Sequence, residues 1–227
     1  MVNLAMKPND GSIDLKQTAL LIIDMQRDFL QPGGFGEMLG NDISTLQTAI
    51  EPCKKVLEAA RAAGILVMHT REGHRADMTD VHKHKNEKKN SEGKIVKSIG
   101  ETGPMGRILI RGEAGHDIIL ELYPIPGEPV IDKPGKGAFY GTDLELILAV
   151  NTITTLLVCG VTTEVCVHTT VREANDRGFH CIVVSDACAS FFDHFHTTAL
   201  DMISAQRGIF GSVTDSDKAV AALQSTS

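Results

Sequence analysis

Residues 18–23, with the sequence TALLII, form a short unbroken apolar run that ends at Asp24. A strand that is apolar on both faces is typical of a parallel sheet with helices on either side, because a strand with one solvated face would alternate apolar and polar residues. The run therefore predicts a buried parallel strand with Asp24 at its carboxyl end.

Strand and helix patterns alternate along the rest of the chain. The predicted strands are residues 18–23, 65–70, 129–133, 155–160, 181–185 and 208–213. The predicted helices are residues 44–63, 115–123, 142–150, 166–177, 195–205 and 215–223. Gly64 and Gly178 follow two of these helices, where glycine commonly ends a helix. The order predicts a three-layer α/β fold, a six-stranded parallel sheet with right-handed crossovers and helices on both faces.

Composition narrows the class of protein. The chain has 227 residues, 42% of them hydrophobic, which predicts one domain over residues 1–227. A formal net charge of −7 argues against nucleic acid or an anionic membrane as a partner. No apolar run has the length of a signal-peptide core or a membrane span, and the five cysteines show no C-x-x-C spacing. We expect a cytoplasmic protein with reduced thiols.

Three ionisable residues lie at predicted strand ends. Asp24 follows the first strand, Lys133 ends the third, and Cys166 opens the helix after the fourth. Ligands bind at this edge of open α/β sheets, and a helix N-terminus and a nearby lysine both favour thiolate. Together they predict a cysteine hydrolase, in which Asp24 takes the thiol proton and Cys166 attacks a carbonyl carbon. Each residue also has a structural alternative: a turn cap, a solvated strand end and a packed apolar side chain.

Residues 82–89, with the sequence HKHKNEKK, lie in a long polar stretch. Histidines can bind metal, but lysines are unfavourable neighbours for a cation. The pattern favours a solvated loop.

Three segments carry a resemblance to a known family. Residues 19–29 (ALLIIDMQRDF), 132–139 (DKPGKGAF) and 159–167 (CGVTTEVCV) resemble motifs of the isochorismatase-like cysteine hydrolases. The resemblance covers nearly the whole chain and implies a six-stranded parallel sheet of Rossmann-like topology and a homo-oligomer, a dimer or tetramer. It also implies an Asp24, Lys133 and Cys166 catalytic triad and a cis peptide bond before Thr162.

The implied cis bond suggests how an oxyanion would be held. It would aim the backbone N–H groups of Thr162 and Cys166 at the negative oxygen of a tetrahedral intermediate, although an ordinary glycine-containing turn is the alternative. In the expected reaction the thiolate adds to an amide or ureido carbonyl, Asp24 returns the proton to the departing amine, and water hydrolyses the thioester. This chemistry needs no organic cofactor.

The resemblance also bears on metal and on reaction type. Family members related to nicotinamidases carry an Asp-Trp-His metal motif where this chain has Glu72, Gly73 and His74. No firm second histidine follows, so we expect no metal. Members that cleave isochorismate have a small residue in place of Cys166, and the thiol therefore favours amide chemistry.

A closer resemblance is to biuret hydrolases and related ureido amidohydrolases. Residues 69–75 (HTREGHR), 131–137 (IDKPGKG) and 172–178 (REANDRG) carry it. It implies that Gln206 binds substrate, since a side-chain amide offers a donor and an acceptor to a ureido group. Phe35 is the expected apolar wall, with a surface role for Gln206 and a core role for Phe35 as alternatives.

The sequence thus predicts a cysteine amidohydrolase that releases ammonia from a small amide or ureido compound, such as biuret. An isochorismatase, or a non-catalytic binding or effector protein, remains the alternative.

Overall fold

The structure is a computed structural model that describes residues 1–86, 93 and 99–225. Its strands are β1 (Val2–Leu4), β2 (Gly11–Ile13), β3 (Thr18–Ile23), β4 (Leu66–Glu72), β5 (Thr102–Gly103), β6 (Gly106–Arg107), β7 (Val130–Lys133), β8 (Thr155–Val161), β9 (His180–Ala189) and β10 (Ser212–Thr214). The central sheet has the order β10-β9-β8-β3-β4-β7, with every pair parallel. β1 with β2 and β5 with β6 form two small antiparallel pairs.

Helices flank this sheet. They are α1 (Arg27–Leu30), α2 (Phe35–Met38), α3 (Ser44–Gln47), α4 (Ile50–Ala63), α5 (Lys83–Asn86), α6 (Leu144–Val150), α7 (His168–Asp176), α8 (Asp193–Gly208) and α9 (Ser216–Gln224). A π-helical turn, Thr163–Val167, precedes α7. Within the described ranges, no helix is both long and apolar enough to cross a membrane. The cytoplasmic location and the single domain stay predictions.

The side chains of β3 show why the sheet is covered on both faces. Leu20 and Ile22 pack into one hydrophobic cluster, which includes residues of α4 and α9. Leu21 and Ile23 pack into the other, which includes residues of α6 and α7. Each buried aliphatic side chain of this size contributes about 1.5–3 kcal/mol. The predicted three-layer α/β fold is confirmed.

Two predicted helices differ from the structure for identifiable reasons. The predicted helix 44–63 is divided between α3 and α4, because Pro52 has no N–H and is tolerated only in the first turn of a helix. The prediction of a helix over 115–123 is wrong, apart from a 3₁₀ turn at Leu120–Leu122. Its backbone instead pairs with the segment after β3, with Arg27 N–H donating to the Asp117 carbonyl (2.9 Å) and Ile119 N–H to the Met25 carbonyl (3.0 Å).

Gly160 allows β8 to lie directly beside the end of β3. It pairs with Ile23, its φ is 114°, and a Cβ at this position would overlap the Ile23 backbone carbonyl. Only glycine fits both the backbone conformation and the close approach.

This contact yields a stability prediction with a matched control. Gly112 also has a positive φ, 90°, but a Cβ there meets nothing within 4 Å. We expect Gly112→Ala to cost about 1–2 kcal/mol, the cost of the left-handed backbone alone. Gly160→Ala should cost several kcal/mol more or prevent folding. Urea unfolding would measure both, and equal losses would contradict the overlap.

Candidate active site

Four ionisable side chains meet at the carboxyl edge of the central sheet. Asp24 follows β3, Glu72 ends β4, Lys133 ends β7, and Cys166 lies in the π-helical turn after β8. Because β8, β3, β4 and β7 are consecutive in the parallel sheet, their ends lie side by side. The structure brings together the three residues that the sequence predicts and adds Glu72.

Lys133 and Asp24 form an ion pair inside the protein. Both side chains are 0% exposed, and Lys133 Nζ lies 2.7 Å from Asp24 Oδ2. The same ammonium donates to the carbonyl oxygens of Gly135 (3.0 Å) and Lys136 (2.9 Å). Burial opposes the charge of Lys133, but Asp24, Cys166 and Glu72 outweigh it and raise the pKa of Lys133. Lys133 is therefore a fixed positive charge beside the thiol.

Thr70 fixes the orientation of the Asp24 carboxylate. The Thr70 hydroxyl donates to Asp24 Oδ1 (2.6 Å) and accepts from the Asp24 N–H (3.2 Å). Since Thr70 lies within β4, the neighbouring strand positions the carboxylate. Hydrogen bonds that involve a carboxylate are short and strong.

Cys166 is a buried thiol in contact with a carboxylate. It is 4% exposed, and its Sγ donates to Glu72 Oε2 at 3.6 Å. Burial raises the pKa of Cys166 well above its usual value, and Asp24 and Glu72 act in the same direction, against Lys133. Lys133 does favour thiolate, as the sequence predicts, but burial and the two carboxylates outweigh it in the resting protein. The thiol needs a base when it reacts.

The sequence-based prediction does not place Glu72 in this cluster. It treats Glu72 only as a loose match to a metal motif. The Gln26 side chain forms two hydrogen bonds with the Glu72 backbone. The Glu72 N–H donates to Gln26 Oε1 (2.7 Å), and Gln26 Nε2 donates to the Glu72 carbonyl (3.0 Å). Lys136 Nζ donates to Glu72 Oε1 at 2.6 Å. The apolar run predicts strand β4 but ends it at residue 70, two residues before Glu72. The prediction therefore does not place Glu72 at the strand end.

The segment before the thiol has the expected cis peptide bond. The bond joins Val161 to Thr162. The Thr162 carbonyl then accepts the N–H groups of Val165 (3.1 Å) and Val167 (3.2 Å), which closes the π-helical turn that carries Cys166. Thr162 and Cys166, the two expected oxyanion donors, thus belong to one turn, Thr162 as its cap and Cys166 within it.

The donor atoms of the site fit a divalent metal poorly. Asp24, Glu72 and Cys166 offer atoms within 4.8 Å of one another. Two lysine ammonium groups already contact these carboxylates, Lys133 on Asp24 and Lys136 on Glu72. A divalent ion would have to displace or face both positive charges.

The two expected substrate-binding residues lie outside this cluster of contacts. Phe35 is half-buried in α2 and packs edge-on against Phe29, with ring centroids 6.1 Å apart. Gln206 is exposed, in a kink of α8 where the backbone φ is positive. Their roles toward substrate stay predictions.

Part of the polar stretch 82–89 reaches the site. Residues 87–89 lie outside the described residues. Lys83 and His84 are exposed in α5, whereas Lys85 Nζ donates to the Pro134 carbonyl (2.9 Å), next to Lys133.

Comparison with known proteins identifies the family. The Isochorismatase domain model matches residues 18–218, and the chain therefore belongs to the isochorismatase family. This confirms the resemblance seen in the sequence and the prediction that the protein is a hydrolase.

Individual relatives agree with this assignment. The chain is 31% identical over 186 residues to the ureidoacrylate amidohydrolase RutB of Azorhizobium caulinodans, covering 81% of each chain. It is similar in structure to a cysteine hydrolase from Pseudomonas syringae pv. phaseolicola, with a TM-score of 0.77 and 26% identity over 94% of this chain and 95% of that one. An isochorismatase family protein from Desulfovibrio vulgaris gives a TM-score of 0.72 and 27% identity, covering 88% of this chain and 95% of that one.

The buried charges yield a prediction about stability and pH. Lys133→Met leaves Asp24 and Glu72 buried without the cation between them, which should cost about 3–5 kcal/mol at pH 7. In the variant, protonation removes buried negative charge that has lost its cation, so stability should increase as the pH falls from 7 to 5. In the native protein Lys133 and Lys136 outweigh burial and hold the pKa of Glu72 below its usual value. The ionised Glu72 therefore contributes its full stabilisation at every pH above the pKa that Glu72 has in the unfolded chain.

Urea unfolding at both pH values would test this, with Lys136→Met as the control. The Lys136 side chain is 43% exposed, so its loss should cost much less. A Lys133→Met cost that did not change between pH 7 and pH 5 would contradict the assigned charges.

Proposed function

We propose that this protein hydrolyses a C–N bond of a small amide or ureido compound through a thioester on Cys166, with release of ammonia. The observation that carries the proposal is a buried thiol beside a buried Asp24–Lys133 ion pair. The name of the relative RutB, an amidohydrolase of ureidoacrylate, supports the same reaction class.

Each member of the proposed triad has a role that its surroundings support. Asp24 accepts the Cys166 proton as Sγ bonds to the carbonyl carbon, and returns that proton to the departing nitrogen. Water then adds to the thioester carbon while Asp24 takes a proton from it. The C–S bond breaks as the acid product forms, and Asp24 returns the proton to the Cys166 sulfur, which restores both groups. Lys133 stabilises negative charge on the sulfur throughout, which is needed because burial disfavours thiolate.

The tetrahedral intermediate carries a negative oxygen that needs donors. We assign them to the N–H groups of Thr162, directly before the π-helical turn, and Cys166, within it. Each such donor commonly contributes about 2.7–4 kcal/mol to the transition state.

The energetic cost of the cluster supports a catalytic role over a purely structural or binding one. Replacing a buried ion pair by apolar side chains is often neutral or stabilising, so buried charges contribute little to the stability of a fold. Displaced pKa values in a converging group of acid, base and nucleophile are typical of active sites.

The resemblance to biuret hydrolases favours a compact, hydrogen-bond-rich ureido substrate. We propose Gln206 and Phe35 as its binding residues, the first for hydrogen bonds and the second for apolar contact. The exposure of Gln206 allows it to meet a ligand.

We also propose a homo-oligomer. Phe192, Phe195 and Met202, in and just before α8, are 47%, 44% and 47% exposed, and apolar side chains grouped on a surface favour association. Light scattering would give the mass.

Cys166→Ser is the direct test of the reaction. We expect it to lower kcat by at least about 10³-fold while the unfolding curve is unchanged, because a hydroxyl is much harder to deprotonate than a thiol. Ammonia release would be measured across biuret, carbamoyl amino acids, ureidoacrylate and nicotinamide.

The same panel separates the alternatives. Pyruvate release from isochorismate without ammonia release from the panel would favour an isochorismatase. No hydrolysis of any of these compounds would favour a binding protein. An unchanged kcat in Cys166→Ser would refute the mechanism.

Removal of metal provides a second test. We expect dialysis against a chelator to leave activity unchanged, since lysines neutralise the carboxylates of the site. Activity that is lost on dialysis and restored by zinc or iron would assign a metal to the region of Glu72 and His74.

A further inference from the structure

Glu72 is a second buried carboxylate in the site, and the mechanism above gives it no task. Its side chain is 1% exposed, and its backbone is held on both sides by Gln26. Oε1 accepts from Lys136 Nζ at 2.6 Å, and Oε2 accepts from the Cys166 thiol at 3.6 Å. Oε1 is thus paired with a lysine, while Oε2 faces the nucleophile and has Lys133 Nζ 4.0 Å away, beyond hydrogen-bond distance.

The charge state of Glu72 decides what it can bind. Burial alone would raise the pKa of Glu72, but Lys133 and Lys136 outweigh burial and hold the pKa below its usual value. The carboxylate is therefore ionised near neutral pH, and an ionised carboxylate accepts hydrogen bonds but cannot donate one.

The reaction removes the donor from Oε2. When Cys166 gives up its proton and Sγ bonds to the substrate carbon, Glu72 Oε2 no longer receives the S–H hydrogen bond. A buried charged acceptor left without a donor is costly. The leaving nitrogen is attached to the attacked carbon, two bonds from Sγ, so it lies close to an acceptor that is 3.6 Å from Sγ.

We propose that Glu72 Oε2 accepts an N–H from the leaving nitrogen and thereby determines specificity for leaving groups that carry N–H, ammonia or a primary amine. This inference rests on the proposed function. Lys136 keeps Glu72 ionised from the side facing solvent, since its own side chain is 43% exposed. An ester oxygen offers lone pairs where Glu72 needs a donor, so the ester should be disfavoured.

The test compares two substrates in two variants. The pair is the best primary amide or ureido compound of the ammonia panel and the ester in which –OCH₃ replaces its –NH₂; for biuret this is methyl allophanate. We expect Glu72→Gln to lower kcat/KM for the N–H substrate by about 10²-fold and to leave kcat/KM for the ester unchanged or higher, because glutamine can donate to the ester oxygen.

Glu173→Gln is the matched control. Glu173 Oε2 accepts from the Phe139 N–H (3.3 Å) in the loop that also holds Lys136, but its contacts lie outside the thiol cluster. It should leave the amide-to-ester ratio at the native value. A Glu72 role that is only structural would lower both rates together.

The outcomes separate this inference from the proposed function. An unchanged amide-to-ester ratio in an active Glu72→Gln enzyme would overturn the inference alone. If the native protein shows no Cys166-dependent hydrolysis of either substrate, the proposed function fails and the inference with it.

A second measurement does not depend on how Glu72→Gln folds. The native enzyme would be assayed with the primary, N-methyl and N,N-dimethyl forms of the same amide. We expect the N-methyl compound, which keeps one N–H, to be hydrolysed, and the N,N-dimethyl compound to lose at least about 10²-fold more in kcat/KM. If kcat/KM falls by the same factor with each added methyl group, with no extra loss when the last N–H is removed, the inference is contradicted.

Discussion

The buried ammonium of Lys133 is the interaction on which the rest of the site depends. A charge that is fully removed from water must be paired and hydrogen-bonded, or the fold would not tolerate it. Here Asp24 supplies the charge and the Gly135 and Lys136 carbonyls supply two further acceptors. The loop after β7 therefore folds back over the end of its own strand. The same path of the loop places the Lys136 side chain against Glu72.

At Cys166, burial and the two carboxylates act against Lys133 on the pKa of the thiol, and they outweigh it in the resting protein. The sequence shows a cysteine near a helix start and a lysine at a strand end, both of which favour thiolate. It does not show that Glu72 joins Asp24 beside the sulfur, where both carboxylates disfavour thiolate. The site therefore holds a neutral thiol at rest, with the lysine and both carboxylates already arranged for the moment when the proton moves.

The sequence could predict those parts of the site that follow from strand ends. Asp24 directly follows an apolar run and Lys133 ends a predicted strand, and a parallel sheet brings such ends together. Glu72 was missed because β4 continues two residues past the predicted strand end at residue 70, with Arg71 paired to Asp132 of β7 at the sheet edge. The prediction of a helix over 115–123 failed for a related reason. That segment satisfies its backbone by pairing with residues after β3, and no local pattern reports a long-range pairing.

Covalent capture of the intermediate would test the central claim most directly. The native enzyme would be quenched in acid during turnover of its best panel substrate, digested, and mapped by mass spectrometry alongside Cys166→Ala. A Cys166 thiol that attacks the carbonyl should yield an acyl group on the Cys166 peptide that hydroxylamine removes, and Cys166→Ala should be inactive and unmodified. An acyl group on any other residue, or continued hydrolysis by Cys166→Ala, would contradict it.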